Sequence, residues 1–426
     1  MTVTPFDSAL YGASFSDADI ARLFSDGAVV RAMLLAEGAL ARAQAAEELI
    51  PGEAAEAIHR TAMEAAIDPA ALAQGTAANG IPVPSLVAAF RREMPDPALA
   101  QWIHHGATSQ DIVDTGLALR LRRVLEVLGT RLDAVLAMLA RLARDHAETA
   151  MAARTYGQVA TPTSFGALAA IWGAPFLSLR DGLPALRDRV CVVTLNGAAG
   201  TLSAMGPAGP NVRARMAAGL GLGDPGAAPH AERSHMRALA GWTGEALAAC
   251  DKVATDLLLL TREGEARLGG GGASSTMPQK VNPVAPAQVH ALALHGRALA
   301  GAMGTHWDMR DGGAWFAEWL ALPQMLVAAG RAMQLLADAG IDPDAGRLRA
   351  RADDPTGLIH AEALSFDLPL PRPEAQAQVK ELAARVRAEG GNLVALAGLD
   401  PADYAPETRW GEAPALALRF AKAVEG

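Results

Sequence analysis

A chain of 426 residues, 51% of them hydrophobic, can bury a large core but is too long for one simple core, so two or three domains are expected. A formal net charge of −9 without a basic stripe argues against a nucleic-acid partner, and no apolar run approaches the ~20 residues that span a bilayer. Cys191 and Cys250 lie far apart, outside any CxxC pair, and the N-terminus has neither a basic nor an apolar leader segment, which points to a soluble, cytoplasmic protein.

Alanine and leucine dominate and aromatic residues make up only 4%, a mixture that favours closely packed helices over sheets. In chain order, Val30–Glu47 reads as one helix, stopped by Ile-Pro-Gly at 50–52. A Gly/Pro/polar cluster at Gln74–Pro84 follows. Leu117, Leu121, Val124, Leu128, Leu132, Val135, Leu139 and Leu142 then fall at three- and four-residue steps, the stripe of a helix of roughly 30 residues. Strand patterns are nearly absent, and Val190–Leu195 is the best short candidate. Further clusters of glycine and proline at Leu195–Pro210, Gly221–Pro229 and Gly269–Pro278 separate two more long helices, His235–Leu260 and Val284–Met303. Pro369–Gln376 is too proline-rich for a helix interior. The expected fold is all-α, a long central helix bundle flanked by two smaller helical domains. The expected domains are 1–110, 111–352 with the bundle, and 353–426.

Three constellations carry chemistry. Gly269–Asn282, GGGGASSTMPQKVN, is dense in flexible backbone and in hydroxyl, ammonium and amide groups, as suits a loop that closes over an anion. A solvated connector is the bland alternative, but linkers seldom run Met-Pro-x-Lys-x-Asn straight into an apolar helix. His104–Thr115, HHGATSQDIVDT, opens the longest helix, with Asp111 as a reasonable N-cap and exposed N–H groups suited to carboxylates. Ala153–Gly166, ARTYGQVATPTSFG, bunches polar groups ahead of an apolar helix and alone reads as a capped turn. No metal-ligand spacing occurs among the ten histidines, and Gly269–Gly272 lacks the context of a nucleotide fingerprint, so neither metal nor cofactor is expected.

In this order, HxGATSQD, RTxxQxATPTSFG and SSTMPxKxNP resemble the fumarase/aspartase superfamily. Ala36–Pro51, the glycine turn at Gly197–Leu202 and the His-x-x-Arg start at His230–Trp242 agree with it, so the likeness spans roughly residues 10–375. The opening segment and Gly313–Pro323, GAWFAEWLALP, are most similar to the superfamily's lactonising cycloisomerases of aromatic-acid catabolism. The resemblance implies proton transfer at carbon by Ser274, with Lys280 and Asn282 stabilising an aci-carboxylate. It also implies substrate contacts from His104, Thr108, Ser109, Thr155, Tyr156 and Ser275, a small tricarboxylate substrate, and a homotetramer whose sites are shared between subunits.

Four departures from the family pattern matter. Tyr156 stands where most of these lyases carry histidine, which assists an amine or hydroxyl leaving group. A carboxylate needs little protonation to leave, so losing that histidine is cheap for a cycloisomerase and costly for a carbon–nitrogen lyase. Ala273 replaces the usual glycine before the reactive serine, Val281 replaces a residue that is often basic, and Gln376 lies where an Ala-His pair is common. A carbon–nitrogen lyase acting on adenylosuccinate or argininosuccinate, and a non-catalytic homologue that kept the bundle, stay open as alternatives.

Overall fold

The computed structural model describes residues 4–426 apart from 274–276, 278, 279, 305–309 and 311. Ser274 and Ser275 therefore lie outside the described residues. Helix dominates, as expected of the all-α class. The principal helices are α1 (Asp26–Ala46), α2 (Gly52–Glu64), α3 (Val83–Glu93), α4 (Ser109–Asp145), α5 (Phe165–Val190), α6 (Gly209–Leu220), α7 (Ser234–Arg262), α8 (Val284–Ala300), α9 (Gly312–Ala337), α10 (Ala345–Ala352), α11 (Arg372–Glu389) and α12 (Ala413–Glu425). The long apolar stripe belongs to α4, whose 37 residues extend the expected helix at both ends. All eight side chains of that stripe, Leu117 through Leu142, are buried. Each contributes about 1.5–3 kcal/mol of burial free energy, which outweighs the modest intrinsic propensity of the valines.

The described chain groups into two compact units. The first comprises Met1–Thr130, Asp181–Leu247 and Leu292–Arg331; the second comprises Arg131–Arg180, Ala248–Ala291 and Ala332–Gly426. In the first unit, α1 packs on α2 and α6. Its core gathers Met33, Leu34 and Leu40 of α1, Leu86 and Phe90 of α3, and Ile103, Leu195, Met216 and Trp315. The second unit contains a small core of its own near the C-terminus, built from Leu364, Val379, Leu382, Leu393 and Tyr404. The proline-rich stretch lies at a helix start, with Pro371 just before α11 and Pro373 in its first turn. Proline costs nothing there, because the first N–H groups of a helix have no intrahelical partner. Gln376 is an exposed residue of α11.

Two expectations need correction. Val190–Leu195 is not a strand: Val190 ends α5, and only Val192 forms an isolated bridge, to Gly223. The β-branched run is buried by its surroundings rather than paired along its length. Conversely, the segment ahead of α5 is a β-hairpin, β1 (Ala150–Thr155) against β2 (Gln158–Ser164), rather than a capped turn. Tyr156 and Gly157 form its tip with φ of 52° and 73°. Positive φ at both central residues is the geometry of a two-residue turn that matches strand twist, and glycine at the second position adopts it without strain. Two further ladders occur among the described residues: β3 (Ala266–Leu268) with β6 (Ile341–Pro343), and β4 (Gly272–Ala273) with β5 (Val281–Asn282).

The expectation that no segment could cross a bilayer meets one exception. Helix α9 is long and apolar enough by length and composition alone. Its side chains serve as core: Leu322, Met325, Leu326, Met333 and Leu336 are buried, and the buried Glu318 is ion-paired to Arg233.

Candidate active site

The residues flanking the N-terminus of α4 supply the first group of expected site residues, all within the first unit. The chain enters through His104 and Gly106, both in the left-handed region with φ of 64° and 68°. For histidine this conformation is uncommon and needs support from its surroundings. Support comes from Glu37 of α1, whose Oε1 lies 2.7 Å from His104 Nδ1, and from Gln44, whose amide donates to the His105 carbonyl at 2.6 Å. Glu37 is almost wholly buried.

Asp111 is not the N-cap. It lies in the first turn of α4 with its carboxylate fully buried, and reaches back to accept the Thr108 N–H at 3.0 Å, one half of a capping box. The same carboxylate accepts the N–H groups of Asn196 and Gly197, each at 3.0 Å, and lies 2.8 Å from His230 Nε2. One side chain thus ties together the helix start, the glycine turn at Gly197 and the loop carrying His230.

A second buried group sits one helical turn further on. Arg233 bridges Asp114 of α4 at 2.6 Å and Glu318 of α9 at 2.5 and 3.0 Å. Asp114 also accepts from Trp315 at 3.1 Å and from Gln110 at 3.2 Å. Burial alone would press the Arg233 pKa down, but the two carboxylates hold it well above the ordinary arginine value. Burial pushes the Glu318 carboxyl up from the usual carboxylate range, against the pull of Arg233. His235 beside them is pushed down to about 4 by burial and by Arg233, so it is neutral at physiological pH.

Above this framework lies a cavity of about 750 Å³ whose wall includes Thr108, Ser109, Gln110, Ala198, Arg310 and Trp315. Arg310 donates to Gln110 Oε1 at 3.0 Å and to the Ala198 carbonyl. The cavity therefore combines two hydroxyls at the start of a 37-residue helix with one guanidinium, a setting that favours carboxylates. Of the expected contacts, Thr108 and Ser109 meet in this wall; His104 is in the same unit, anchored to Glu37, but is not part of it.

The other half of the expected site belongs to the second unit. β4 and β5 pair Gly272 with Asn282 and Ala273 with Val281, a short antiparallel stem at the base of the expected reactive loop. Asn282 is half-buried and Lys280 is exposed, its N–H donating to the Met277 carbonyl at 3.0 Å. Just upstream, Gly269 and Gly340 approach so closely that a Cβ on Gly340 would lie 2.8 Å from the Gly269 Cα. Thr155 ends β1 opposite Gln158, and Tyr156 is fully exposed at the hairpin tip. Arg154 of the same motif anchors the hairpin: it contacts both oxygens of the buried Glu265 at 2.6 Å, and Arg351 reaches Glu265 at 3.0 Å.

Sequence reasoning took Asp111 only as a cap and Arg233 only as part of the His-x-x-Arg start, and gave Asp114, Glu318 and Arg310 no role. The Asp-x-x-Asp spacing at 111 and 114 was the available signal, since it puts two carboxylates on nearly one face of a helix that is otherwise apolar. Their partners come from the glycine turn at 196–197, from the segment just before α7 and from α9, and no local pattern links those to α4. No group of three or more His, Cys, Asp or Glu suited to a metal occurs among the described residues.

The His104–Glu37 pair has a pH signature. Burial lowers the His104 pKa, but the hydrogen bond and charge of Glu37 outweigh it and leave the pKa above the ordinary 6.5. A group whose folded pKa is raised stabilises fully below its unfolded pKa, and that contribution is lost as pH rises through the folded value. Urea unfolding of the protein should therefore show stability falling from about pH 6.5 upward. Glu37→Gln should flatten that slope, and equal slopes in the two proteins would dismiss the pair as a stabilising contact.

Comparison with known proteins follows this geometry. A family model described as "Lyase" matches residues 9–295. The chain is 36% identical over 373 residues to a 3-carboxy-cis,cis-muconate cycloisomerase of Bradyrhizobium diazoefficiens, covering 85% of this chain and 83% of the relative. It is also 36% identical over 382 residues to a nitrosuccinate lyase of Streptomyces davaonensis, covering 84% and 80%. The crystal structure of the 3-carboxy-cis,cis-muconate lactonizing enzyme from Pseudomonas putida superposes with a TM-score of 0.89 at 31% identity, covering 98% of this chain and 99% of that one. Matched along most of its length in family, sequence and fold, the chain belongs to the fumarase/aspartase superfamily of lyases.

Proposed function

We propose that the protein interconverts 3-carboxy-cis,cis-muconate and its lactone, as a homotetramer with sites shared between subunits. The observation that carries this reading is Tyr156 at the hairpin tip, where a lyase that expels an amine or hydroxyl would need an acid. It is supported by likeness to cycloisomerases over most of the chain. In the lactone the leaving group is a carboxylate, which departs unprotonated. Thr108, Ser109 and Thr155 would hold substrate carboxylates, with His104, Tyr156 and Ser275 completing the pocket from other segments. Ser274 would carry the proton to and from carbon, with its pKa lowered inside the closed loop. Lys280 and Asn282 would face the aci-carboxylate, the charge that develops at the barrier.

Thr155, Tyr156, Lys280 and Asn282 belong to one unit, and His104, Thr108 and Ser109 to the other. A site shared between subunits gives each unit's residues partners from another chain. A cytoplasmic location goes with this proposal, since Cys191 and Cys250 are both free and buried.

The direct test is purified tetrameric protein with the muconate, followed by loss of its ultraviolet absorbance. An unchanged spectrum would overturn the reading. Tyr156→Phe is expected to keep activity within about tenfold, because removing a general acid costs about a hundredfold or more only where one is used. A larger loss would recast Tyr156 as the acid.

A second reading has a specific observation behind it. Identity to the nitrosuccinate lyase equals that to the Bradyrhizobium cycloisomerase. Nitrite, like a carboxylate, is a weak base that leaves without a proton, so Tyr156 does not separate the two substrates. Parallel assays with the muconate and with nitrosuccinate, scored by kcat/KM, decide between them.

A further inference from the structure

The first unit holds another cavity, of about 620 Å³, whose wall includes Phe24, Met33, Leu72, Val113, Trp319 and Arg120. It shares no wall residue with the cavity at Thr108 and Ser109. Most of its wall is apolar, contributed by α1, the segment around residues 69–82, α4 and α9. The acids at its wall are already provided for: Glu318 is held by Arg233, and Asp26 is exposed to solvent at the start of α1.

Arg120 is different. It is the one cation in this wall among the described residues. Its part-buried guanidinium donates from Nε to the Gly116 carbonyl at 3.2 Å and from Nη1 to the Leu23 carbonyl at 3.4 Å, and lies 5.5 Å from the Phe24 ring centroid. It has no carboxylate partner among the described residues, and burial alone pushes its pKa down to about 10. A cation withdrawn from water is normally matched by a counter-charge, and two long bonds to carbonyls are a weak substitute. A concave, mostly apolar volume with a few polar groups on its wall is the usual form of a small-molecule site.

We propose that this cavity binds an amphipathic monocarboxylate with an aromatic or alicyclic body. The carboxylate pairs with the fork of Arg120, and the ring lies against Phe24, Met33 and Trp319. Arginine suits this role because its planar donors accept a carboxylate bidentately, while the rings beside it tolerate both the cation and an apolar guest.

Naphthoate serves as the probe, with isothermal titration calorimetry on the intact protein. The wild type is expected to bind one naphthoate per chain, and naphthamide at least about tenfold more weakly, since a charge-assisted pair contributes about 1.5–3 kcal/mol. Arg120→Gln should weaken naphthoate by the same factor and leave naphthamide unchanged. Ala77→Trp, a change at an exposed wall position, should block both ligands. Thr108→Val, in the other cavity, should change neither. Absence of binding, binding that survives both Arg120→Gln and Ala77→Trp, or loss in Thr108→Val would each overturn the proposal. Should Arg120→Gln fail to fold, Ala77→Trp and the naphthamide comparison decide the matter by themselves.

Discussion

Ser274→Ala is expected to lower kcat about a thousandfold while leaving the thermal unfolding curve in place. Positioned proton transfer contributes about a hundredfold to ten-thousandfold, and serine is the only proton carrier the proposal assigns at that carbon. Lys280→Met should cost about a hundredfold to a thousandfold, as the loss of one donor to a developing oxyanion does. The expected independence from stability rests on the stem. β4 and β5 pair at Gly272–Asn282 and Ala273–Val281 by backbone hydrogen bonds, which do not depend on side-chain identity. Pre-steady-state turnover of the muconate by the two variants is the measurement. A Ser274→Ala enzyme with wild-type kcat would remove the serine from the mechanism, and would revive a purely structural reading of the loop.

Arg233→Met carries the largest expected loss of stability, about 3–5 kcal/mol, because it leaves Asp114 and Glu318 buried without a cation. Removing one partner of a buried ionic group costs more than removing the whole group, since a carboxylate left unpaired must take up a proton or be reached by water. Arg233→Lys should recover only part of the loss, because a point charge cannot span the forked contacts to Glu318 at 2.5 and 3.0 Å. The effect should also reach the cavity, since Asp114 holds Gln110 and Trp315, both of which line it. Urea unfolding at fixed protein concentration tests this, with concentration held because the proposed assembly would add to apparent stability. A loss below about 1 kcal/mol would mean the group relaxes by admitting water or neutralising a carboxyl.

The helices and their apolar faces were legible in the chain. The eight-residue stripe of α4 and the long helices beginning near 234 and 284 follow from spacing and turn residues. The family was legible from three motifs in order. The short ladders were not. β3 and β6 pair residues more than seventy positions apart, and the stem of the reactive loop pairs only two residues on each side, too few for an alternating pattern. The hairpin carrying Tyr156 was missed because β1 is alanine-rich and Pro162 interrupts the short Val159–Thr161–Thr163 alternation of β2.

Sequence by itself determined the helical architecture, the superfamily and the residue types offered to an anion, because these are set by local periodicity and by short motifs. Tertiary structure decided what those motifs do for one another. Asp111 reads as a helix cap within its own motif, yet it is a hub joining α4 to Asn196, Gly197 and His230. Arg154 reads as one of the polar groups bunched ahead of α5, yet it anchors the hairpin through the buried Glu265. Arg120 reads as one more charge on a helix, yet it stands beside an apolar cavity without a counter-ion among the described residues. The reason is common to all three: the partner of a charge inside a protein is chosen by which elements pack together, and that choice is invisible along the chain.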